Sequence, residues 1–484
     1  TKMGAVAGSA MQQRSSFSDL KKSTAIDGER WKIIVGEDGI YKITGQDLEN
    51  AGVDLLKIDF RNIRLIQDGR DVSLYPHGWR DGQFNTDDYI EFWGEQQRQT
   101  FQDDAPDMYQ DPFSSNSTYW LSWEKRGLWM AEESGEITDS NPGGIIRPYS
   151  FLETVHHEED NYYDHLSSVP MDTMRDHWFF DDGISAGKKV DYKIFLRYPD
   201  DQSPLKVSAR VMMSGRTTVM SLSHNISAFL NGSFLFSNVW DGQAIADLES
   251  GDDAFINGAD LIDGENILSI VNNVTPQNFD FVMLNWFQIT YPRLYRAYDD
   301  FLKFRIPPNY ENGTFLFRID GFVGRQVDVY KLHQSKIIGG QVEEITDFND
   351  FTSMQISFQN DVLSPATEYV AVASSAKKKP ILIKKDETSD LKNKQLSADY
   401  VLIAHDRFID SPAIEDLIEM RQAQGLSVLK VNVEDIYDEF NYGQPGTFAI
   451  KDFLTWAYEN WQPPKLKHVL FVGDGSYVRY SAEG

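Results

Sequence analysis

The spacing of apolar and polar positions divides the chain into a long β-rich part and a short α/β part. From Trp31 onward the pattern favours strands: WKIIV and GIYKI flank Gly36-Glu37-Asp38-Gly39, which predicts a hairpin-type loop. A short helix is expected over 44–51, with strands over 63–67 and 72–75, YIEFWGE and 119–123. Residues 134–148 are rich in Gly, Ser, Asp and Pro and mark a boundary. Beyond it, strands are expected over 190–198, 205–213, 218–222, 228–230, 266–271 and 281–290. Turn signals at that spacing suggest a sandwich or jelly roll. FLKFRI, GTFLFRIDGF, QVDVYKL, MQISF and 369–373 read as a third, smaller sandwich. Lys377-Lys378-Lys379-Pro380 within it reads as a solvated loop or edge that guards a strand from pairing.

The pattern changes near Asp399. The runs 400–404, 427–433 and 468–472 are rich in Val, Leu and Ile without strict alternation, as expected of strands buried on both faces. Helical patterns fill the gaps. One runs over 411–424, with Pro412 in its first turn, Gly425 at its end and a stripe at Ile414, Leu417 and Ile418. The other runs over 447–460, with Thr447 as its cap and Ile450, Phe453, Leu454, Ala457 and Trp461 on its buried face. Strand, helix, strand, helix, strand predicts right-handed crossovers and a parallel sheet, with its chemistry at the strands' carboxyl ends. The fold class is therefore multidomain: β-rich sandwich or jelly-roll domains followed by an α/β segment. The expected division is an arm over 1–28, a β-rich domain over 29–135, a jelly-roll-like sandwich over 149–293, a smaller sandwich over 294–396, and the α/β segment over 397–484.

Composition narrows the function. A formal net charge of −28 opposes binding to nucleic acid or to an anionic membrane face. Aromatic residues make up 13% of the chain, in keeping with β structure. The absence of Cys removes disulfides, thiolate metal sites and a thiol nucleophile from these 484 residues. No apolar run approaches the roughly 18 residues that span a bilayer.

Four stretches offer chemistry. Asp81, Asn85, Asp87 and Asp88 place oxygens around Gly82, either as Ca²⁺ ligands or as an ordinary Asx-rich turn. In the sandwich, Trp240 and Trp286 are either glycan-stacking platforms or core residues. His156, Glu158 and His165 form a dense set of metal-type ligands, but adjacent residues on a strand face opposite ways, so His156 and His157 cannot share a site. At the strand ends, Asp474 and Ser476 follow the last apolar run in Gly473-Asp474-Gly475-Ser476, which is neither a P-loop nor a nucleophile elbow. His405-Asp406 and the acidic run Glu434, Asp435, Asp438 and Glu439 sit at the other two ends.

The words YVLIAH, Arg-x-x-x-Gly-Leu-Ser-Val at 421–428, VEDIYDEF, AIKDFL…AYENW and HVLFVGDGSY resemble the start of the catalytic region of gingipain-type cysteine peptidases. This caspase-like bacterial surface family includes the type IX secretion sortase. GIYKITGQDLENAGVDL, DGQFNTDDYIEFWGE, YWLSW and NWFQITYPR resemble its amino-terminal region. The resemblance implies a secreted or cell-surface peptidase acting on proteins. The family's nucleophile is a Cys, and its base a His in Gly-His-Gly, both downstream of the Gly-Asp strand end. Here there is no Cys, and none of the nine His has Gly on both sides. No catalytic residue is carried over; Asp474 and Ser476 either help shape a substrate cleft or, in the case of Asp474, bond neighbouring loop amides. The pair is expected on a C-terminal continuation or a companion chain. The alternatives are a non-catalytic surface or filament scaffold with the same fold, or a carbohydrate-binding surface protein.

Overall fold

The computed structural model describes residues 29–98, 105–138, 144–165, 175–217, 223–251, 254, 256–346, 350 and 352–473. The arm over 1–28 and the strand expected at 218–222 lie outside these residues. The chain forms two compact units, one from the stretches 1–97, 112–130 and 378–484, the other from 98–111 and 131–377.

In the first unit, a five-stranded sheet runs in the order Leu382–Lys385, Trp31–Val35, Ser117–Ser122, Arg64–Gln67, Arg70–Val72. A second sheet holds Gly39–Thr44, Tyr89–Gly94 and Leu74–His77. The expected hairpin at Gly36-Glu37-Asp38-Gly39 is therefore not formed, because the strands flanking it diverge into different sheets. Apolar side chains of both sheets meet in one core that includes Trp31, Ile33, Tyr41, Phe92, Tyr119 and Leu121. A helix over Gly45–Asn50 follows, closed by a capping box between Thr44 and Asp47. The lysine run is not a solvated guard from Lys378 onward. Lys378 N–H donates to the Ile40 carbonyl at 2.8 Å, and Leu382–Lys385 becomes an edge strand against Trp31–Ile34. Lys378 and Lys379 are neutralised by Glu37 and Asp47 at 2.7 and 2.8 Å.

The α/β segment belongs to the same unit. Tyr400–Ala404 is the central strand, with Val428–Asn432 and His468–Val472 parallel to it on either side. Pro412–Ala423 and Thr447–Asn460 are the expected helices. Gly446, not Thr447, occupies the N-cap of the latter, and no side chain caps it. Phe453 is fully buried, with its ring centroid 5.6 Å from Phe440 and 5.8 Å from Trp461. Burying such a ring stabilises the fold by about 1.5–3 kcal/mol. A further helix, Val433–Phe440, was hidden in the sequence by its acidic face. Asn432 caps it by accepting the Glu434 N–H at 3.0 Å, and Ile436 anchors it in the core. Contrary to the expectation of burial on both faces, His468–Val472 leaves Val469 37% and Phe471 56% exposed.

In the second unit, two antiparallel sheets face each other. One contains Ile184–Ser185, Phe281–Leu294, Ser208–Gly215 and Ile245–Glu249, with Ser150–Glu158 also paired to Phe281–Leu294. The other runs Lys189–Leu196, Gly264–Asn272, His224–Leu230, Ser233–Trp240. Alternation in His224–Leu230 buries His224, Ile226, Ala228 and Leu230 in the shared core. A further pair of sheets encloses the aromatic core of Phe304, Phe315, Phe317, Phe358 and Tyr369. Ala131–Ser134 joins this pair, parallel to Ser335–Ile338.

Candidate functional site

The first unit contains a cleft of about 870 Å³ at the carboxyl ends of Tyr400–Ala404 and Val428–Asn432. Parallel strands end there, and the loops leaving them present polar side chains. His405 caps the short helix Asp406–Ile409, its Nδ1 accepting the Arg407 N–H at 3.2 Å. The Asn432 side-chain amide donates to the Asp406 carboxylate, tying the two strand ends together. The opposite wall comes from the five-stranded sheet, through Lys32, Ile34 and Thr118, and from Asn116 just ahead of Ser117–Ser122. Its Thr118 hydroxyl donates to the Gly443 carbonyl at 3.0 Å, and the Trp120 indole N–H donates to the Tyr442 carbonyl at 2.8 Å.

The floor is acidic. Asp386, Asp406, Glu434, Asp435 and Asp438 all line the cleft. The Lys32 ammonium lies 2.6 Å from Asp438 and 3.6 Å from Glu434, and Arg30 pairs with Asp386. Burial pushes Asp438 up to about 7, against the pull of Lys32. Burial, with Asp386 and Glu439 nearby, pushes Asp435 up to about 6. Carboxyl groups ordinarily titrate near 4, so these two exchange protons close to neutrality. The cleft thus supplies proton-exchanging carboxyls and a fixed ammonium. Sequence reasoning marked the run from Glu434 to Glu439 but missed Lys32 and Asp386, because only long-range sheet pairing brings them to it.

The expected site residues fall as follows. Asp474 and Ser476 lie outside the described residues. In the acidic turn, Asp88 accepts the Asn85 N–H at 2.7 Å and Asp81 accepts the Gln83 N–H at 2.9 Å, so these carboxylates serve the loop's own amides. Asp87 and Asn85 belong to the same turn. His156 and Glu158 share a strand face, with Nε2 and the carboxylate 3.0 Å apart. Burial lowers His156 to about 3, so this contact is a hydrogen bond from a neutral imidazole. The Tyr109 ring stacks on it at 3.5 Å. His165 is exposed and does not join them: among the described residues, no three His, Asp or Glu side chains are grouped to hold a metal ion. Trp286 is 2% exposed and donates its indole N–H to the Asp107 carbonyl at 2.9 Å, so it is a core residue with no face for a sugar. Trp240 is half-buried against the sandwich core, its ring 4.8 Å from that of His224.

Residues 393–481 match peptidase family C25. No curated protein sequence matches the chain. Among solved structures, the chain is similar to dimeric latent PorU from Porphyromonas gingivalis, with a TM-score of 0.56 and 17% identity over 93% of this chain. The match takes in 42% of the PorU chain, so the present chain spans less than half of that protein's length. A weaker likeness, with a TM-score of 0.17 and 8% identity, is to a cycloisomaltooligosaccharide glucanotransferase of Paenibacillus sp.; it covers 46% of this chain and 44% of that one and carries no argument. The resemblance read from the sequence is borne out: residues 393–481 match peptidase family C25, and the β-rich fold is similar to that of PorU.

Proposed function

We propose that this chain is the N-terminal part of a secreted or cell-surface, gingipain-like cysteine endopeptidase whose Cys and His lie outside it. The observation that carries the reading is the open side of the parallel sheet. Along Thr447–Asn460 and His468–Val472 runs a groove of about 850 Å³, lined by Ile450, Leu454, Tyr458, Leu466, Val469 and Phe471. Tyr458 is 63% exposed beside it. A parallel sheet buries both faces under helices, and an apolar edge strand left open invites pairing. Further α/β structure is the cover this edge suits, and it would bring the missing residues.

In that reading, a Cys thiolate attacks the substrate's peptide carbonyl and the His gives a proton to the departing amine. Water then hydrolyses the thioester, its proton passing to the His. The residues described here form the scaffold and one acidic cleft at the strand ends. The β-rich domains serve as pro-region, substrate platform or surface tether. The test is peptide hydrolysis by the protein isolated from its natural source, with and without iodoacetamide. Hydrolysis abolished by alkylation is expected, although these 484 residues contain no Cys. Hydrolysis indifferent to alkylation, or none at all, overturns the proposal in favour of a scaffold.

A further inference from the structure

The second unit contains a smaller cleft of different character. Its volume is about 260 Å³, and three guanidinium-bearing residues line it: Arg147, Arg296 and Arg318. Asp320 is the one carboxylate in the lining, and Tyr149 and Gln355 complete its polar face. Three cations against one anion is unusual in a chain with 46 Lys and Arg against 74 Asp and Glu.

Backbone pairing fixes the positions of these arginines. Ile146 bridges to Phe315, donating to the Thr314 carbonyl and accepting from the Leu316 N–H, each at 2.9 Å, which sets Arg147 beside the strand Gly313–Phe322. Arg318 projects from that strand to an exposed position. Arg296 bridges to Asp320, and the Ala297 N–H donates to the Asp320 carbonyl at 2.8 Å. The guanidinium of Arg296 is 3.8 Å from the Asp320 carboxylate and 5.2 Å from the Tyr198 ring. The Arg318 side chain, by contrast, makes no ion pair or hydrogen bond with any other described residue, although its backbone pairs opposite Ser357. Tyr149 stands at the rim, 82% exposed, with its carbonyl accepting the Tyr295 N–H.

We propose that this cleft binds an oxyanion, the phosphate or carboxylate group of a ligand whose body lies over the Tyr149 ring. Guanidinium is planar and forked, and it meets both anions with paired hydrogen bonds. Like charges gathered in a concave site repel one another, and an anion relieves that repulsion. The volume is small beside the roughly 300–1,000 Å³ of sites that enclose whole ligands, so the cleft takes the charged end of one. Asp320 holds Arg296 in place and also competes with the incoming anion.

The intact protein is titrated calorimetrically with inorganic phosphate and with glucuronate, at low salt and again with added NaCl; glucose is the neutral control. The proposal predicts saturable one-to-one binding of phosphate, of glucuronate or of both, weakened by salt, and none of glucose. Preference between the two probes identifies which oxyanion the site takes. Arg318→Ala weakens binding by about tenfold or more, the loss expected for a charge-assisted hydrogen bond. Arg318→Lys restores part of it, and Asp320→Asn strengthens it. Arg318 is exposed, so Arg318→Ala keeps its unfolding midpoint, and circular dichroism checks this. No saturable binding of either probe, or binding unmoved by Arg318→Ala, overturns the proposal.

Discussion

Gly443→Ala tests how the wall of the acidic cleft is built. Gly443 has φ +90°, in the left-handed region, and a β carbon there would lie 2.6 Å from Thr118 Cγ2 and 3.0 Å from the Trp120 ring. The backbone term costs about 1–2 kcal/mol for a residue with a side chain. Forcing a methyl into a filled site costs typically another 1–3 kcal/mol. The smaller unfolded-state entropy of Ala returns about 0.4–1 kcal/mol. Together these give a destabilisation of about 1–5 kcal/mol, centred near 3. Thr118→Ser separates the terms: it removes Cγ2 but keeps the hydroxyl that donates to Gly443 at 3.0 Å. The double variant should recover about 1–2 kcal/mol of the loss, leaving the backbone strain and the Trp120 contact. Native-state amide exchange over 437–444 reads the local free energy without requiring the two units to unfold together. A Gly443→Ala loss below about 0.5 kcal/mol refutes the reasoning. So does a Thr118→Ser background that leaves the whole penalty in place, since the loop would then not lie against Thr118.

Two further outcomes follow from the same unit. Glu439 accepts from Ser389 Oγ at 2.6 Å and from the Leu391 and Lys392 N–H groups at 2.7 and 3.1 Å, while the Leu391 carbonyl accepts from the Trp461 indole at 3.1 Å. Glu439→Ala strands the buried Leu391 amide and should cost about 1–3 kcal/mol in urea unfolding, with faster exchange at Leu391; an unchanged midpoint would contradict that anchoring. Asp438 is raised to about 7 in the fold, against about 4 in the unfolded chain, so between those values the folded state holds the extra proton. Its contribution is present below pH ~4 and lost as pH rises through 7; Asp438→Asn should flatten the fall in thermal midpoint across that window, and an identical slope in both proteins would rule the assignment out.

The legible parts of the fold were those governed by local pattern. The apolar runs at 400–404, 427–433 and 468–472 and the stripes of Ile414, Leu417 and Ile418, and of Phe453 and Ala457, announced strands and helices because their periods are intrinsic. Pairing was less legible. Gly36-Glu37-Asp38-Gly39 has the composition of a hairpin, yet Trp31–Val35 pairs with Ser117–Ser122 and Leu382–Lys385, partners that no local signal names. The exposure of Val469 and Phe471 was equally hidden, since a buried central strand and an apolar edge strand share one composition. The acidic cleft was half legible: the carboxylates after Asn432 are contiguous, whereas Lys32 and Asp386 reach them through tertiary packing. Trp286 showed the converse, since its indole is satisfied by the distant Asp107 carbonyl and its burial depends on sheets the sequence could only suggest.

The central claim, that these residues scaffold a cysteine peptidase whose catalytic pair lies elsewhere, is tested most directly by mapping the native protein. Purified from its natural source, it would be alkylated with iodoacetamide, denatured and analysed by intact-mass and peptide mass spectrometry. The account predicts peptides beyond Gly484, or a tightly associated companion chain, containing Gly-His-Gly and a Cys whose alkylation parallels the loss of peptide hydrolysis. A native polypeptide ending near Gly484, with no such partner and no labelled Cys, would contradict it.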